Sequence, residues 1–277
     1  MPVPSSAVAD AYARLTEAFP GLAVTETGPG ESVPDGGGWT SAASLAAGGS
    51  GLDAFLAWDD AQVLRDYGTH ARPDVVASFG LHRYAWPACL LFTVPWFLHP
   101  RAPRLPVTHV SYDRAAGRMA VRPAAFACLP GDPAAALPGA RVVRDEEALR
   151  AELRSAVAEH LEPVLAGFGP RMRRRGRALW GMATDEIVEG LWYVAHLLGE
   201  QERAVRELEL LLPGATRPYV GSAAFRELTG PDGECLPTRD RASCCMFYTV
   251  RPEDLCVTCP RTRDADRFAK LTATAAG

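Results

Sequence analysis

The chain has 277 residues, room for one large domain or two ordinary ones, and 48% hydrophobic against 22% charged residues is the balance of a globular protein with a real core. Its net charge of −4 and pI near 5.9 argue against a generic binder of nucleic acid or other polyanions, which carries an excess of Lys and Arg. No basic-then-apolar leader opens the sequence, and its most apolar run, 85–98, is short and interrupted by Pro87 and Pro95, so neither a secretory signal nor a membrane span is expected and the location is expected to be cytoplasmic.

Residues 7–18 have the spacing of an amphipathic helix. Residues 28–51, rich in Gly and Ser, read as a loop or linker with little packing capacity. Helical spacing returns over 52–68 through Leu52, Phe55, Leu56 and Val63, and 74–98 reads as one or two buried helices broken at the prolines. The period then changes. Over 106–123, β-type residues flank "DRAAG", a hairpin signal. From Asp145 the helical pattern resumes, with Leu149, Leu153, Val157 and Leu161 on one stripe and acids in the first turn, where they suit the helix dipole. Residues 175–199 are apolar on much of their circumference and read as a well-buried helix, with a shorter one over 201–212. Strands are expected in "AAFRELTGPDGECLP", with a turn at "GPDG", and in "ASCCMFYTV", before a last helix over roughly 262–272.

This is an α+β pattern: a mostly helical body with β-hairpins and a cysteine-rich carboxyl-terminal lobe, divided at about residue 220 into regions 1–220 and 221–277. There is no regular β-α-β alternation and no Gly-rich phosphate loop after a strand, so the chain is not expected to carry a nicotinamide or flavin of its own.

Four of the seven cysteines fall in "CCMFYTVRPEDLCVTC", residues 244–259. An odd number without an export signal does not suggest a disulfide framework; soft thiolates this close suit a tetrahedral metal or an iron–sulfur cluster. Cys256 and Cys259 have the spacing of a zinc knuckle. Cys244 and Cys245 do not: adjacent residues of a strand point to opposite faces, so both can ligate only if the backbone bends. A two-iron cluster, whose ligands spread over two metal atoms, fits at least as well, and spacing leaves it and structural zinc both open.

The pattern C-C-x10-C-x2-C, written by Cys244, Cys245, Cys256 and Cys259, is similar to the signature of the FhuF-like ferric siderophore reductases. "RASCC" leads in, "CVTCP" leads out, and upstream "RRGRALWGMATDEI" resembles that family's helical segment around an Arg and a Leu-Trp pair. The resemblance implies a [2Fe–2S] cluster on those four cysteines and an oxidoreductase that passes one electron to ferric iron held by a hydroxamate-type siderophore. With no nicotinamide or flavin site apparent in the chain, the electron is expected from an external donor such as a ferredoxin or a flavoprotein reductase, and no side chain need act as acid or base. Region 1–220 would then bind the siderophore and 221–277 the cluster. The resemblance also names Arg177 and Trp180, on roughly one face of their helix, as contacts to the chelate. Two other classes stay in view: a binding protein with structural zinc, and a siderophore-binding or redox-sensing protein whose cluster does not turn over.

Arg239, Arg241, Arg251, Arg261 and Arg263 flank the thiols, and positive charge there would raise a cluster's potential. At least one of them is expected to donate a hydrogen bond to a cluster sulfur. Cys235 reads as a free thiol outside the ligand set, and Cys89 and Cys128 as core. The basic run 171–177 reads as a solvated segment, a docking patch for an acidic ferredoxin, or a wall for an anionic siderophore. His99 and His109 have no metal-ligand spacing.

Overall fold

In the computed structural model, which describes residues 6–28, 30–230 and 233–275, the most apolar stretch is one continuous helix, α4 (Pro73–Leu98), buried along nearly its whole length. The expected breaks at Pro87 and Pro95 do not occur. A proline inside a helix leaves the carbonyl four residues earlier without its N–H partner. For Pro95 that carbonyl belongs to Leu91, and the buried hydroxyl of Tyr12, from α1 (Ala9–Ala18), donates to it at 3.0 Å. A side chain from a distant element thus replaces the missing main-chain donor.

Around α4 pack α5 (Glu146–Met172) and α6 (Gly176–Leu197), with α7 (Gln201–Leu211) on α6. The Asp145 carboxylate caps α5 by accepting from the Ala148 N–H at 2.8 Å, as the acidic first turn predicts. On another side lies α3 (Ser50–Tyr67), which approaches α4 closely at Gly80. A Cβ there would meet Leu56 Cδ2 at 2.6 Å and Asp59 Oδ2 at 3.1 Å.

The Gly/Ser-rich segment is not wholly a loop. It contains strand β2 (Trp39–Ser41) and a short helix α2 (Ala42–Ala47), while Pro29 lies outside the described residues. Ser41 caps α2 through the Ser44 N–H, and Asp35 in turn accepts from the Ser41 N–H at 3.0 Å. Pairing with the later hairpin gives this segment its order. The hairpin of β4 (Val110–Asp113) and β5 (Arg118–Val121) is antiparallel as expected, and with β1 (Ala23–Glu26) it makes a sheet of order β1-β5-β4-β2. A second sheet joins β3 (Arg101–Arg104), β6 (Ala125–Cys128) and β7 (Ala140–Val142).

At the carboxyl end, β8 (Phe225–Thr229) pairs antiparallel with β9 (Cys235–Arg239), and α8 (Asp264–Ala275) closes the chain's described part. The turn expected at "GPDG" falls partly on Pro231 and Asp232, which lie outside the described residues. The second expected strand, "ASCCMFYTV", does not form: its place is taken by an irregular bend and a 3-10 turn over Phe247–Thr249. No helix among the described residues is long and apolar enough to cross a membrane.

One buried histidine ties the helices to the strands and gives the fold a pH signature. His160 of α5 accepts from the Tyr84 hydroxyl at its Nε2 (2.8 Å) and donates from Nδ1 to the Leu105 carbonyl (2.7 Å). Those roles require the neutral ring. Burial holds its pKa down to about 4, so between the ordinary 6.5 and about 4 the unfolded chain takes up a proton that the folded chain refuses. Stability therefore falls as pH drops through that window, by on the order of 3 kcal/mol when complete. The expected measurement is a stability gap between wild type and His160→Gln that narrows from pH 7 to pH 4.5. A gap independent of pH would exclude the ring as its source.

Candidate functional site

Three acids, Asp185, Glu186 and Glu189, interrupt the apolar run of α6, and the first two are fully buried. Positions i and i+4 share a helix face, so Asp185 and Glu189 look the same way. Opposite them, Arg239 ends β9 and Arg241 follows two residues later, the spacing that keeps side chains on one side of an extended chain. Arg239, itself fully buried, donates from Nη2 to Asp185 and from Nη1 to Glu189, each at 2.8 Å, and from Nε to the Ala223 carbonyl at 3.1 Å.

Asp185 does more than neutralise Arg239. Its carboxylate also accepts the N–H of Ala242 (2.9 Å), the N–H of Ser243 (2.8 Å) and the Ser243 hydroxyl (2.6 Å). The residues immediately before Cys244 are thus pinned to the helix. The chain then turns sharply: Met246 adopts the left-handed conformation, φ 68° and ψ 14°, and the 3-10 turn follows. This bend, which a strand would not supply, sets the adjacent cysteines. Cys244 Sγ accepts from the Met246 N–H at 3.4 Å, and Cys245 from the Phe247 N–H.

The second pair is set by another turn. Cys259 N–H donates to the Cys256 carbonyl at 3.1 Å, Thr262 closes on both residues' carbonyls, and Cys259 Sγ accepts from the Arg261 N–H at 3.5 Å. Arg267 of α8 clamps this turn to β9, donating to the carbonyls of Cys259 and Arg239 and to Asp240. On the outside, Phe247 stacks edge-on against Tyr67 of α3 and lies 6.1 Å from the ring of Phe79 on α4.

Cys245 and Cys256 are close enough to neighbouring thiols to feel their charge. Burial raises the pKa of Cys245, against the Phe247 N–H and Arg241, and the neighbouring Cys244 and Cys259 raise it further. Cys256 is exposed at its surface, yet the protein crowding its sulfur on one side pushes it up to about 11, with Arg241 opposing and Cys245 and Cys259 adding to the rise. Cys245 and Cys256 therefore resist ionising unless a cation neutralises them, and amide N–H groups on sulfur are what a metal-bound thiolate accepts. By that chemistry Cys244, Cys245, Cys256 and Cys259 fit an iron–sulfur cluster. Among the described residues no three His, Cys, Asp or Glu side chains converge as a site for a single ion; the ligands of a two-iron cluster do not have to meet at one point.

The other cysteines stand apart in the structure. Cys89 and Cys128 are buried, and Cys235 is exposed at the far end of β9. Of the five flanking arginines, Arg251, Arg261 and Arg263 are exposed and occupied by Glu253, Tyr248 and Asp266. Arg241 differs: its Nε and Nη2 are buried with no hydrogen-bond partner among the described residues, 3.6 Å from Asp185 and 3.5 Å from Glu186. Burial works against its charge, but Glu186, Asp185 and Glu189, with Cys245, outweigh it and keep the guanidinium charged. Glu186 in turn meets His82 Nδ1 of α4 at 2.6 Å.

Arg177 sits exposed in the first turn of α6, and Trp180 is half-buried, edge-on to Tyr219 at 5.5 Å. Trp180 lines a cleft of about 560 Å3 with Leu179 and Arg173, Arg174 and Arg175, between the end of α5 and the start of α6. In the basic run, Arg171 is paired with Asp53. Sequence reasoning missed Asp185, Glu186 and the buried state of Arg239. The available signal was the run of acids inside an otherwise apolar helix.

Residues 241–261 match the family model described as the FhuF 2Fe-2S C-terminal domain, and no curated protein matches the chain. That match spans the segment between Arg241 and Arg261 in which both cysteine turns lie. At its carboxyl end the chain therefore carries the 2Fe–2S domain of the FhuF-like family, with a [2Fe–2S] cluster as its cofactor.

Proposed function

We propose that this protein is a cytoplasmic reductase of ferric chelates, siderophore complexes of the hydroxamate type foremost, and that Cys244, Cys245, Cys256 and Cys259 ligate its cluster. The observation that carries this reading is the pair of turns in which Cys244, Cys245 and Cys259 each face an amide two residues on, inside the segment matching the 2Fe–2S domain. When bound, the cluster supplies one electron at low potential, about −400 mV for plant-type centres. Hard oxygen ligands hold ferric iron far better than ferrous, so one electron weakens the complex and lets iron leave.

The protein's own residues position and tune. Asp185 and Arg267 fix the two cysteine turns, and Arg241 holds a buried positive charge beside the sulfurs, which favours the more negative reduced state. No side chain is required as acid or base. The electron enters from an external protein of the ferredoxin or flavoprotein class. For contacts to the chelate, the resemblance proposes Arg177 and Trp180.

The test is to reduce anaerobically purified protein and mix it with a ferric trihydroxamate, following the return of the oxidised absorbance. Reoxidation much faster than in the absence of iron is expected. A colourless protein with one zinc per chain would sink the reading, and so would the absence of acceleration by every ferric hydroxamate, catecholate and citrate tried.

A further inference from the structure

A cleft of about 410 Å3 opens between α3, α4 and the turn after α1, lined in part by Phe19, Trp58, His82, Arg83, Trp86 and Arg114. Three features set it apart from an ordinary surface dent. First, its rim is aromatic. Phe19 and Trp86 on its wall have ring centroids 5.5 Å apart, and Trp58 and Tyr112 add two more rings. Second, its wall carries two guanidinium groups that share one partner. Arg83 and Arg114 both bond the single buried carboxylate of Asp59, leaving one positive charge among the three groups, while Asp66, also on the wall, is paired with Arg65. Arg114 also lies over Trp58, its Cζ 4.2 Å from the ring centre, so the ring and the guanidinium present a common wall.

Third, side-chain contacts lead from the cleft wall to the segment that carries the cysteines. His82 on its wall meets Glu186 at 2.6 Å, and Glu186 meets Arg241 at 3.5 Å. Arg241 opens the segment that carries the cysteines, three residues before Cys244. One helical turn before His82, Phe79 packs on Phe247, two residues beyond Cys245. Trp180 and its cleft approach the cysteine segment through the backbone at Gly181, where a Cβ would meet the Ala242 carbonyl oxygen at 3.4 Å.

We propose that this cleft, rather than the one beside Trp180, seats the ferric chelate. The inference rests on the reductase reading and assigns its substrate site. Aromatic faces suit the organic shell of a hydroxamate complex, and the surplus guanidinium suits its electron-rich oxygens. The reaction there balances simply. One electron, delivered originally by the external ferredoxin or flavoprotein, converts Fe(III) to Fe(II), and no bond of the protein is made or broken.

The gallium(III) complex of a trihydroxamate has the same shell and cannot be reduced, so it separates binding from electron transfer. Calorimetric titration of the holoprotein with this complex is expected to show binding that Trp58→Ala and Arg83→Gln each weaken by about ten-fold or more, with the visible spectrum of the cluster unchanged. Unaltered binding in both variants would overturn the assignment while leaving the reductase reading intact, as would weakening confined to Trp180→Ala. If wild type binds no gallium hydroxamate and no ferric complex reoxidises it, the reductase reading fails, and this site with it.

Discussion

Replacing any one of Cys244, Cys245, Cys256 or Cys259 by Ser is expected to lower bound iron by on the order of ten-fold or more and to bleach the visible absorbance. Cys235→Ser is expected to keep both. The contrast is sharp because the two kinds of cysteine sit in different surroundings. Cys244, Cys245 and Cys259 face main-chain N–H groups in paired turns, whereas Cys235 lies on the exposed start of β9 beside Thr229. Iron per chain and the paramagnetic signal after dithionite are the measurements. Loss of iron in Cys235→Ser with retention in Cys244→Ser would mean that the ligand set has been assigned to the wrong residue. The folded helical signal should survive in all five variants, since the core around α4 includes none of the five cysteines replaced.

The second large effect is expected at Asp185. Asp185→Ala removes the partner of a fully buried arginine and strands the N–H groups of Ala242 and Ser243 together. Breaking a buried pair from one side costs roughly 3–5 kcal/mol, because an uncompensated charge is left behind. Glu189 still bonds Arg239, which keeps the loss toward the lower end of that range. Arg226→Ala is the natural comparison: it also breaks two ion pairs, with Asp240 and Asp264, but all three groups reach solvent. Its cost should stay below about 1 kcal/mol. Denaturant unfolding of the holoprotein and the half-life of its cluster should both fall in Asp185→Ala and hold in Arg226→Ala. Equal stabilities for the two variants would show that the carboxylate is not what anchors the cysteine segment.

Much of the fold was legible because it rests on local periodicity. The stripe of Leu149, Leu153, Val157 and Leu161 and the cap at Asp145 announce α5, and the residues around "DRAAG" announce the hairpin of β4 and β5. What could not be read depends on partners distant in sequence. Pro95 reads as a helix breaker until Tyr12 is found beside it, and β2 is ordered by a strand some seventy residues later. The site divides in the same way. The thiols declare themselves by spacing, whereas the bend that orients them comes from Asp185 on another element. The expected strand through Cys244 and Cys245 failed for that reason: β-type composition loses to four hydrogen bonds converging on one buried carboxylate. Of the five flanking arginines, only burial distinguishes Arg241 from the exposed three, and burial of a charged residue is invisible in its immediate sequence.

The bond from Tyr12 to the Leu91 carbonyl carries an evolutionary corollary. A hydroxyl at position 12 has a purpose in this core only while position 95 lacks an amide hydrogen, so the two sites are bound to vary together. A descendant that regained an N–H at 95 could trade the tyrosine for phenylalanine at no cost to hydrogen bonding, and one that lost the tyrosine first would carry an orphaned carbonyl through the middle of its longest apolar helix. Families of this architecture should therefore show tyrosine and proline at these two columns as a correlated couple, inherited or abandoned as one.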